Sequence, residues 1–406
     1  MNNDSKWLLI IVTVLAACTG SETARPADAV RDSAGVRIVE SSPPNDTWIV
    51  AAAPELRIGV IEGDSAYQFH NISHAARLSD GRIIVIDGGT EIRWFSPDGT
   101  HRSTLGRRGD GPGEFRSIQS VVITPDDSVI VHDAGSQRIS WLSPDETLVR
   151  VGPLRGTGTQ GVRLLAVRPQ GVAIVAESRP TFNFGGEEFN YSRDTLVVTN
   201  HAPESMDTIA TVVGTESATW VYYENARPTR TMQMELPFGH LALAAATSRS
   251  VVLAATEDRQ LALLDDTGRV HALVRAASTE TVSADLRSRF VTHAEQQAID
   301  RGAPDPQIIR KGAEDRLLLL ADDHTMPAFD RLLVDTGDRI WMRDYVPPWA
   351  IDQQQQWTVH GSDGLPLARV TTSAGMMVTS ISNDYVVGVE PDELNVQYVV
   401  LYRLER

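Results

Sequence analysis

The sequence predicts an all-β fold, a six-bladed β-propeller closed by its N-terminal strand, on three observations. The first is Leu105–Leu142, where a Gly-rich turn ending in an aromatic (Gly106, Gly109, Gly111, Gly113, Phe115) precedes β-branched strands at Ile118–Ile123, Val129–His132 and Arg138–Leu142. Short strands joined by Asp, Pro and Gly turn chemistry make an antiparallel meander. The second is recurrence: second strands start near residues 82, 128, 172, 251, 339 and 385, mostly about 45 residues apart, the length of one four-stranded blade. The third is a shortage at one end. The last copy supplies three strands before Arg406, while Ile58–Gly63 with Phe69 and Ile72 repeats the Leu105–Ile118 pattern at the other end. Closing the ring this way leaves no long unpaired edge.

The chain opens with a segment that does not belong to this pattern. Trp7–Ala17 is an apolar run too short to span a bilayer, preceded by Lys6, so residues 1–17 read as a signal peptide. Its end, Leu15-Ala16-Ala17-Cys18, resembles the lipobox of bacterial lipoprotein signal peptides. The resemblance implies cleavage before Cys18, lipidation of its thiol and a protein held at a bacterial membrane surface, periplasmic or outward-facing. Cys18 is the sole cysteine, so the chain has no internal disulfide and no Cys-based zinc site. Residues 18–54, rich in Ala, Ser, Pro and Asp, read as the lipidated Cys and a flexible tether, with Val36–Val39 as a short strand within it.

Residues 55–406 carry the blades. The first has strands Asn71–Arg77, Arg82–Ile86, Ile92–Phe95 and His101–Leu105, joined by Ser79-Asp80-Gly81, Asp87-Gly88-Gly89 and Pro97-Asp98-Gly99. Gly and Asp stand where left-handed or Asx-turn backbone is needed. The second, Ile118–Val151, repeats it, with Trp141 in the place of Trp94 as packing between blades. The third has strands Leu164–Val167, Val172–Ala176, Thr195–Thr199 and Ile209–Val213, interrupted by an insertion at Ser178–Arg193. The fourth spans Leu241–Arg275, the fifth Leu332–Thr371, and the sixth starts at Met376. Between the fourth and fifth lies a helical insertion, residues 279–326, in which Ser283 as N-cap precedes Leu286, Phe290, Ala294 and Ala298 at four-residue steps. It reads either as a strut between blades or as a lid over the channel mouth.

Leu105–Leu142 looks like an NHL repeat, and the chain from Leu56 resembles bacterial six-bladed propeller lipoproteins with NHL-like repeats. Gly106-x-x-Gly109-x-Gly111-Pro112-Gly113-x-Phe115 and the Asp133-x-x-Ser136-Gln137-Arg138-Ile139 turn carry the likeness. No Pro follows Phe115, Ser136 replaces the usual Asn, and His132 replaces a small residue. The likeness speaks to fold, since one scaffold hosts many activities.

Two constellations are candidates for chemistry. An acidic residue ends each second strand: Asp87, Asp133, Glu177, Glu257, Asp344 and Glu390. Such side chains accept hydrogen bonds from their own turns, and a ring of six on one face is also a candidate ligand surface. Three histidines, His70, His240 and His324, stand where blades one, four and five begin. Some NHL-type enzymes, the amidating lyases, hold a metal with histidines from separate blades, so these three are the metal candidates that the resemblance implies. Arg116, Arg163 and Gly375 occupy the other three starts, and the expectation is that the three imidazoles lie apart. A gluconolactonase-like calcium site of scattered acidic ligands has no better support.

Acidic residues outnumber basic ones, 53 to 37, for a net charge of −16, which argues against nucleic acid and anionic membrane surfaces as partners. No Gly-x-Ser-x-Gly elbow, P-loop, His-Glu-x-x-His or dinucleotide fingerprint occurs, and no cofactor is implied. The sequence therefore favours a monomeric, non-catalytic envelope protein, held to the membrane by its lipid alone, that binds or scaffolds a protein, peptide or glycan through one propeller face. The alternative is a metal-dependent hydrolase or lyase, lactonase-like or amidating-lyase-like, with its site at the central channel.

Overall fold

The computed structural model describes residues 29–40, 44, 46–154, 161–168, 171–179, 189–202, 205–224, 227–276 and 279–406. The signal-peptide and lipidation readings, Cys18 included, lie outside them. The described residues are mostly β. Strands β1 (Ala29–Ser33), β2 (Val36–Glu40), β3 (Thr47–Val50) and β4 (Leu56–Ile58) precede the first meander, β5–β8 (Ile72–Arg77, Ile83–Asp87, Glu91–Phe95, His101–Leu105). The second is β9–β12 (Ile118–Ile123, Val129–Asp133, Arg138–Leu142, Leu148–Pro153). The third sheet has five strands, β13–β17 (Val162–Val167, Ala173–Arg179, Phe189–His201, Met206–Glu224, Arg227–Glu235). Then come β18–β21 (Ala242–Ala246, Val251–Ala255, Gln260–Leu264, Val270–Arg275), helices α1 (Ala284–Asp300) and α2 (Pro306–Leu317), and β22–β25 (Phe329–Val334, Ile340–Asp344, Gln355–His360, Pro366–Thr372). The chain ends with β26–β28 (Met377–Ile381, Tyr385–Pro391, Gln397–Glu405).

First strands of successive meanders lie against one another: β5 on β9, β9 on β13, β13 on β18, β18 on β22, and β26 back on β5. Sheets set face to face about an axis in this way form a β-propeller. Buried clusters join each sheet to the next. Ile84, Ile86 and Trp94 meet Val129 and Val131; Ile130 and Ile139 meet Val162 and Val175; Ile174 and Val198 meet Val251 and Leu253. Val252 and Leu263 meet Phe329 and Ile340, Trp341 and Trp357 meet Val378 and Val400, and Val387 and Val399 return to Ile83 and Val85. Every residue of β6 and of β10 is buried, because a second strand is covered on both faces by neighbouring sheets.

The Gly-rich turn after β8 is fixed by one side chain and one glycine. Arg138 of β11 donates to the carbonyls of Asp110, Gly111 and Glu114. Gly106 has φ +104°, and a Cβ there would lie 2.4 Å from the Thr90 carbonyl oxygen, so the strand can end there only on glycine.

At the seam, β4 pairs antiparallel with β28, Ile58 opposite Val399 and Leu56 opposite Leu401. Strand β3 lies between β25 and β28, parallel to the first and antiparallel to the second, and so joins two sheets. The tether expected over residues 18–54 is corrected for its described part, from Ala29 on. Strands β1 and β2 form a hairpin, and β2 runs parallel along the outer edge of β21. The Val36-Arg37-Ile38-Val39 run supplies the reason: Val39 is fully buried against Val274, and Ile38 is nearly so. The third sheet is corrected too. Residues 189–193 of the expected insertion belong to β15, and β16 runs on to Glu224 instead of stopping at Val213.

Candidate functional site

The overlong strands β15 and β16 build one wall of a cleft on the helical side of the propeller. Residues 215–224, Thr-Glu-Ser-Ala-Thr-Trp-Val-Tyr-Tyr-Glu, continue the β-branched and aromatic character of β16 past Val213, paired with β15 and β17 in the same sheet. A bulge at Asp194 separates the two halves of the β15–β16 pairing. Opposite it, a Cβ on Gly214 would sit 2.3 Å from that of Ala242, so only glycine lets the strand pass the fourth sheet. The extension then needs a cover, and the helices give it. Ala218, Leu236 and Phe238 pack with Val282, Phe290, Val291, Ala313, Leu317 and Leu320 in one buried cluster. Ser283 caps α1 by accepting the Leu286 N–H, and Asp305 caps α2 by accepting that of Gln307.

This docking brings three donors together. Glu216 of β16, His240 before β18 and His324 after α2 are all more than nine-tenths buried, and one ligand atom from each lies within 4.8 Å of the others. Glu216 Oε2 accepts the His240 N–H at 2.8 Å, while the Glu216 N–H donates to the His240 carbonyl at 2.8 Å. The same Oε2 lies 3.2 Å from His240 Nδ1 and 3.7 Å from His324 Nε2. The two imidazole centroids are 4.4 Å apart. The Tyr191 hydroxyl donates to Glu216 Oε1 at 2.6 Å, and His324 Nε2 lies 2.9 Å from the Phe238 carbonyl. Burial alone would raise the Glu216 carboxyl, but the His240 ring and amide and the Tyr191 hydroxyl outweigh it and bring it to about 2. Burial pushes the His324 imidazole below its usual range, with the neighbouring His240 adding to the shift. At neutral pH the centre is therefore an ionised carboxylate facing a neutral His324.

Above it opens a cleft of about 350 Å³, lined also by Arg193, Glu257 and the post-helix residues Leu319, Leu320, Ala321, Asp323 and Thr325. Arg193 and Glu257 form an ion pair there, with Glu257 half exposed.

Of the three histidines singled out from sequence, the structure unites His240 and His324 and leaves His70 apart. Their expected separation is thus overturned for that pair. His70 is exposed beside Asp87, Glu91 and His101 at a second cleft of about 590 Å³, because it opens the first blade and not the extension. Glu216 and Tyr191 were not anticipated. The signal available was the β-rich run Thr215–Tyr223, which reads as strand continuing past Val213.

The six strand-end carboxylates share no common site. Asp87 accepts the N–H groups of His70 and Asn71 and pairs with Arg93 at 3.1 Å. Asp133, with no exposed surface, accepts from Arg116 N, Ser117 N, Gly135 N and the Ser136 hydroxyl. Glu177 pairs with Arg179, Asp344 with Arg369, and Glu390 accepts the Tyr402 hydroxyl. In the fourth sheet Thr256 bonds the Leu241 N–H, and Glu257, one residue later, turns to the cleft. Asp133→Ala leaves several buried donors unpaired and should lower stability by about 2–3 kcal/mol, against under about 0.5 kcal/mol for the half-exposed Glu257→Ala. Urea denaturation of the two variants measures the contrast, and equal losses would contradict it.

No protein-family model matches the chain, and no curated protein matches it. Among solved structures, a member of the DUF4221 family from Bacteroides vulgatus is 8% identical, covering 89% of this chain and 100% of that one at a TM-score of 0.46. A putative exported protein from Bacteroides fragilis is 11% identical, covering 88% and 98%, with a TM-score of 0.45. A catalytically inactive virginiamycin B lyase from Staphylococcus aureus is 7% identical, covering 86% and 98%, with a TM-score of 0.38. Likeness of this degree does not bear on what the chain does.

Proposed function

We propose that the chain is a six-bladed, lipid-anchored propeller of the bacterial envelope that binds a peptide or glycan in the cleft over Glu216, His240 and His324. The blade count follows from counting β5, β9, β13, β18, β22 and β26 as the innermost strands, with β4 as the fourth strand of the last blade. The envelope address rests on Leu15-Ala16-Ala17-Cys18. Cys18→Ala should leave the protein unprocessed or release it from membranes, and normal membrane retention of a processed variant would contradict the anchor.

One observation carries the cleft: a buried ionised carboxylate and two imidazoles lie at the base of an accessible cavity whose wall carries both charges. Arg193 suits a ligand carboxylate, Glu257 an amine or hydroxyl, and Leu319 an apolar group. Buried polar groups converging on a cleft are the usual mark of a ligand site. The test is saturation-transfer NMR of chelator-treated protein with a tetrapeptide pool and a chito-oligosaccharide pool. Signal from at least one pool is expected, lost in Leu319→Trp, which fills the cleft. Absence of signal from both pools, or signal unchanged in the variant, would overturn the reading. A hydrolase or lyase is favoured only by the same donors, and it requires turnover of the bound pool once a metal is added.

A further inference from the structure

The geometry points to a divalent transition-metal site formed by Glu216, His240 and His324, with Zn²⁺ its best-fitting ion and the cleft supplying the fourth ligand. This deepens the cleft reading and rests on it for that fourth ligand alone.

Three features carry it. The first is spacing. Zinc–nitrogen and zinc–oxygen bonds of about 2.0–2.2 Å in tetrahedral array set neighbouring donors roughly 3.3 Å apart. Glu216 Oε2 lies 3.2 Å from His240 Nδ1 and 3.7 Å from His324 Nε2, so small side-chain shifts bring all three onto one ion. Ligation by His324 Nε2 replaces its contact with the Phe238 carbonyl.

The second is an unmet need. His240 is 5% exposed, and its Nδ1 is buried without a hydrogen-bond partner although the carboxylate is close. Its other nitrogen, Nε2, lies 3.4 Å from the Thr325 hydroxyl. When Nε2 carries the ring proton, donating to Thr325, the Nδ1 lone pair faces a carboxylate lone pair. A cation between them removes that repulsion.

The third is support around the donors. Tyr191 holds Oε1, the His240 N–H holds Oε2, and Thr325 orients the His240 ring. Such outer partners fix ligand orientation and tune affinity. Two imidazoles and one carboxylate suit a borderline ion and are too few oxygens for calcium or magnesium. Three protein donors beneath a cleft also leave one coordination position for water or for a ligand's carboxylate or carbonyl oxygen.

The test is calorimetric titration of ZnCl₂ into chelator-treated, full-length protein, alongside the visible spectrum on Co²⁺ addition. One ion per chain is expected, with a Co²⁺ spectrum of tetrahedral type. Glu216→Gln and His240→Ala should weaken binding roughly 100-fold and Tyr191→Phe about 10-fold, while His70→Ala leaves it unchanged. Circular dichroism shows which variants fold, and Tyr191→Phe, which removes one hydroxyl, keeps the claim testable if the other two do not. No stoichiometric binding by the folded wild-type protein, or binding undiminished in folded Glu216→Gln or in Tyr191→Phe, would overturn the site. The NMR experiment with peptide and glycan pools uses metal-free protein, so failure of the metal site and failure of the cleft are separately visible.

Discussion

A chain that begins at Gly59 should melt roughly 10 °C below one that begins at Asp46. Both lack the β1–β2 hairpin, so the difference isolates β3 and β4. Strand β4 completes the pairing of β28, and Ile58, 2% exposed, packs with Val387, Val399 and Ile83 across the seam. Strand β3 joins β25 to β28, and its Trp48 meets Trp341 edge-on at a centroid distance of 5.9 Å. At about 1.5–3 kcal/mol for each large apolar side chain, loss of Trp48, Leu56 and Ile58 contributes about 5 kcal/mol. The unpaired edge of β28 adds a tendency to associate. Thermal unfolding followed by circular dichroism measures the gap. Equal midpoints for the two truncations would mean that the ring is closed without these strands.

Stability should also fall steeply as pH drops from about 6.5 toward 4. Burial lowers the imidazoles of His74, His132 and His360 to about 4. Arg331 adds to the shift at His74, while Asp133 opposes it at His132. The sign follows from proton counts. Between pH 4 and the unfolded value near 6.5, the unfolded chain binds protons that the folded chain excludes, so stability is full above that window and lost on descending through it. Holding an imidazole at about 4 against an unfolded value near 6.5 corresponds to about 3 kcal/mol for each of His132 and His360, which are 1% and 0% exposed. Lowered carboxyls such as Glu216, at about 2, act only below about pH 4.5, so the upper part of the window belongs to histidine. Urea midpoints at pH 7.5 and 5.0 should converge in a His132→Gln, His360→Gln double variant. An unchanged pH difference in that variant would assign the effect to other groups.

The strand rhythm was legible where local chemistry sets it. In the first two meanders, Asp and Gly turns flank short β-branched runs, and Ile118–Ile123 and Arg138–Leu142 are strands with those bounds. The seam was legible because Ile58 and Phe69 copy a local pattern. The cleft was not. Glu216 belongs to a strand extension whose continuation depends on docking against α1 and α2, and the burial of a carboxylate depends on residues far away in the chain. His240 and His324 were visible as residue types, but their meeting needs the segment after α2 to return to the Phe238 carbonyl. Sequence spacing says nothing of that return. Val36–Val39 was legible as a short strand, but its hairpin with β1 and its parallel docking on β21 were not, since both depend on partners that the run itself does not specify.

The cleft and its metal meet their most direct test in an anomalous difference map from crystals grown with Zn²⁺, recorded on either side of the zinc absorption edge. The predicted result is one dominant peak about 2 Å from donor atoms of Glu216, His240 and His324. A map with no peak there, or with its strongest peak beside Asp87, Asp133 or His70, would contradict it.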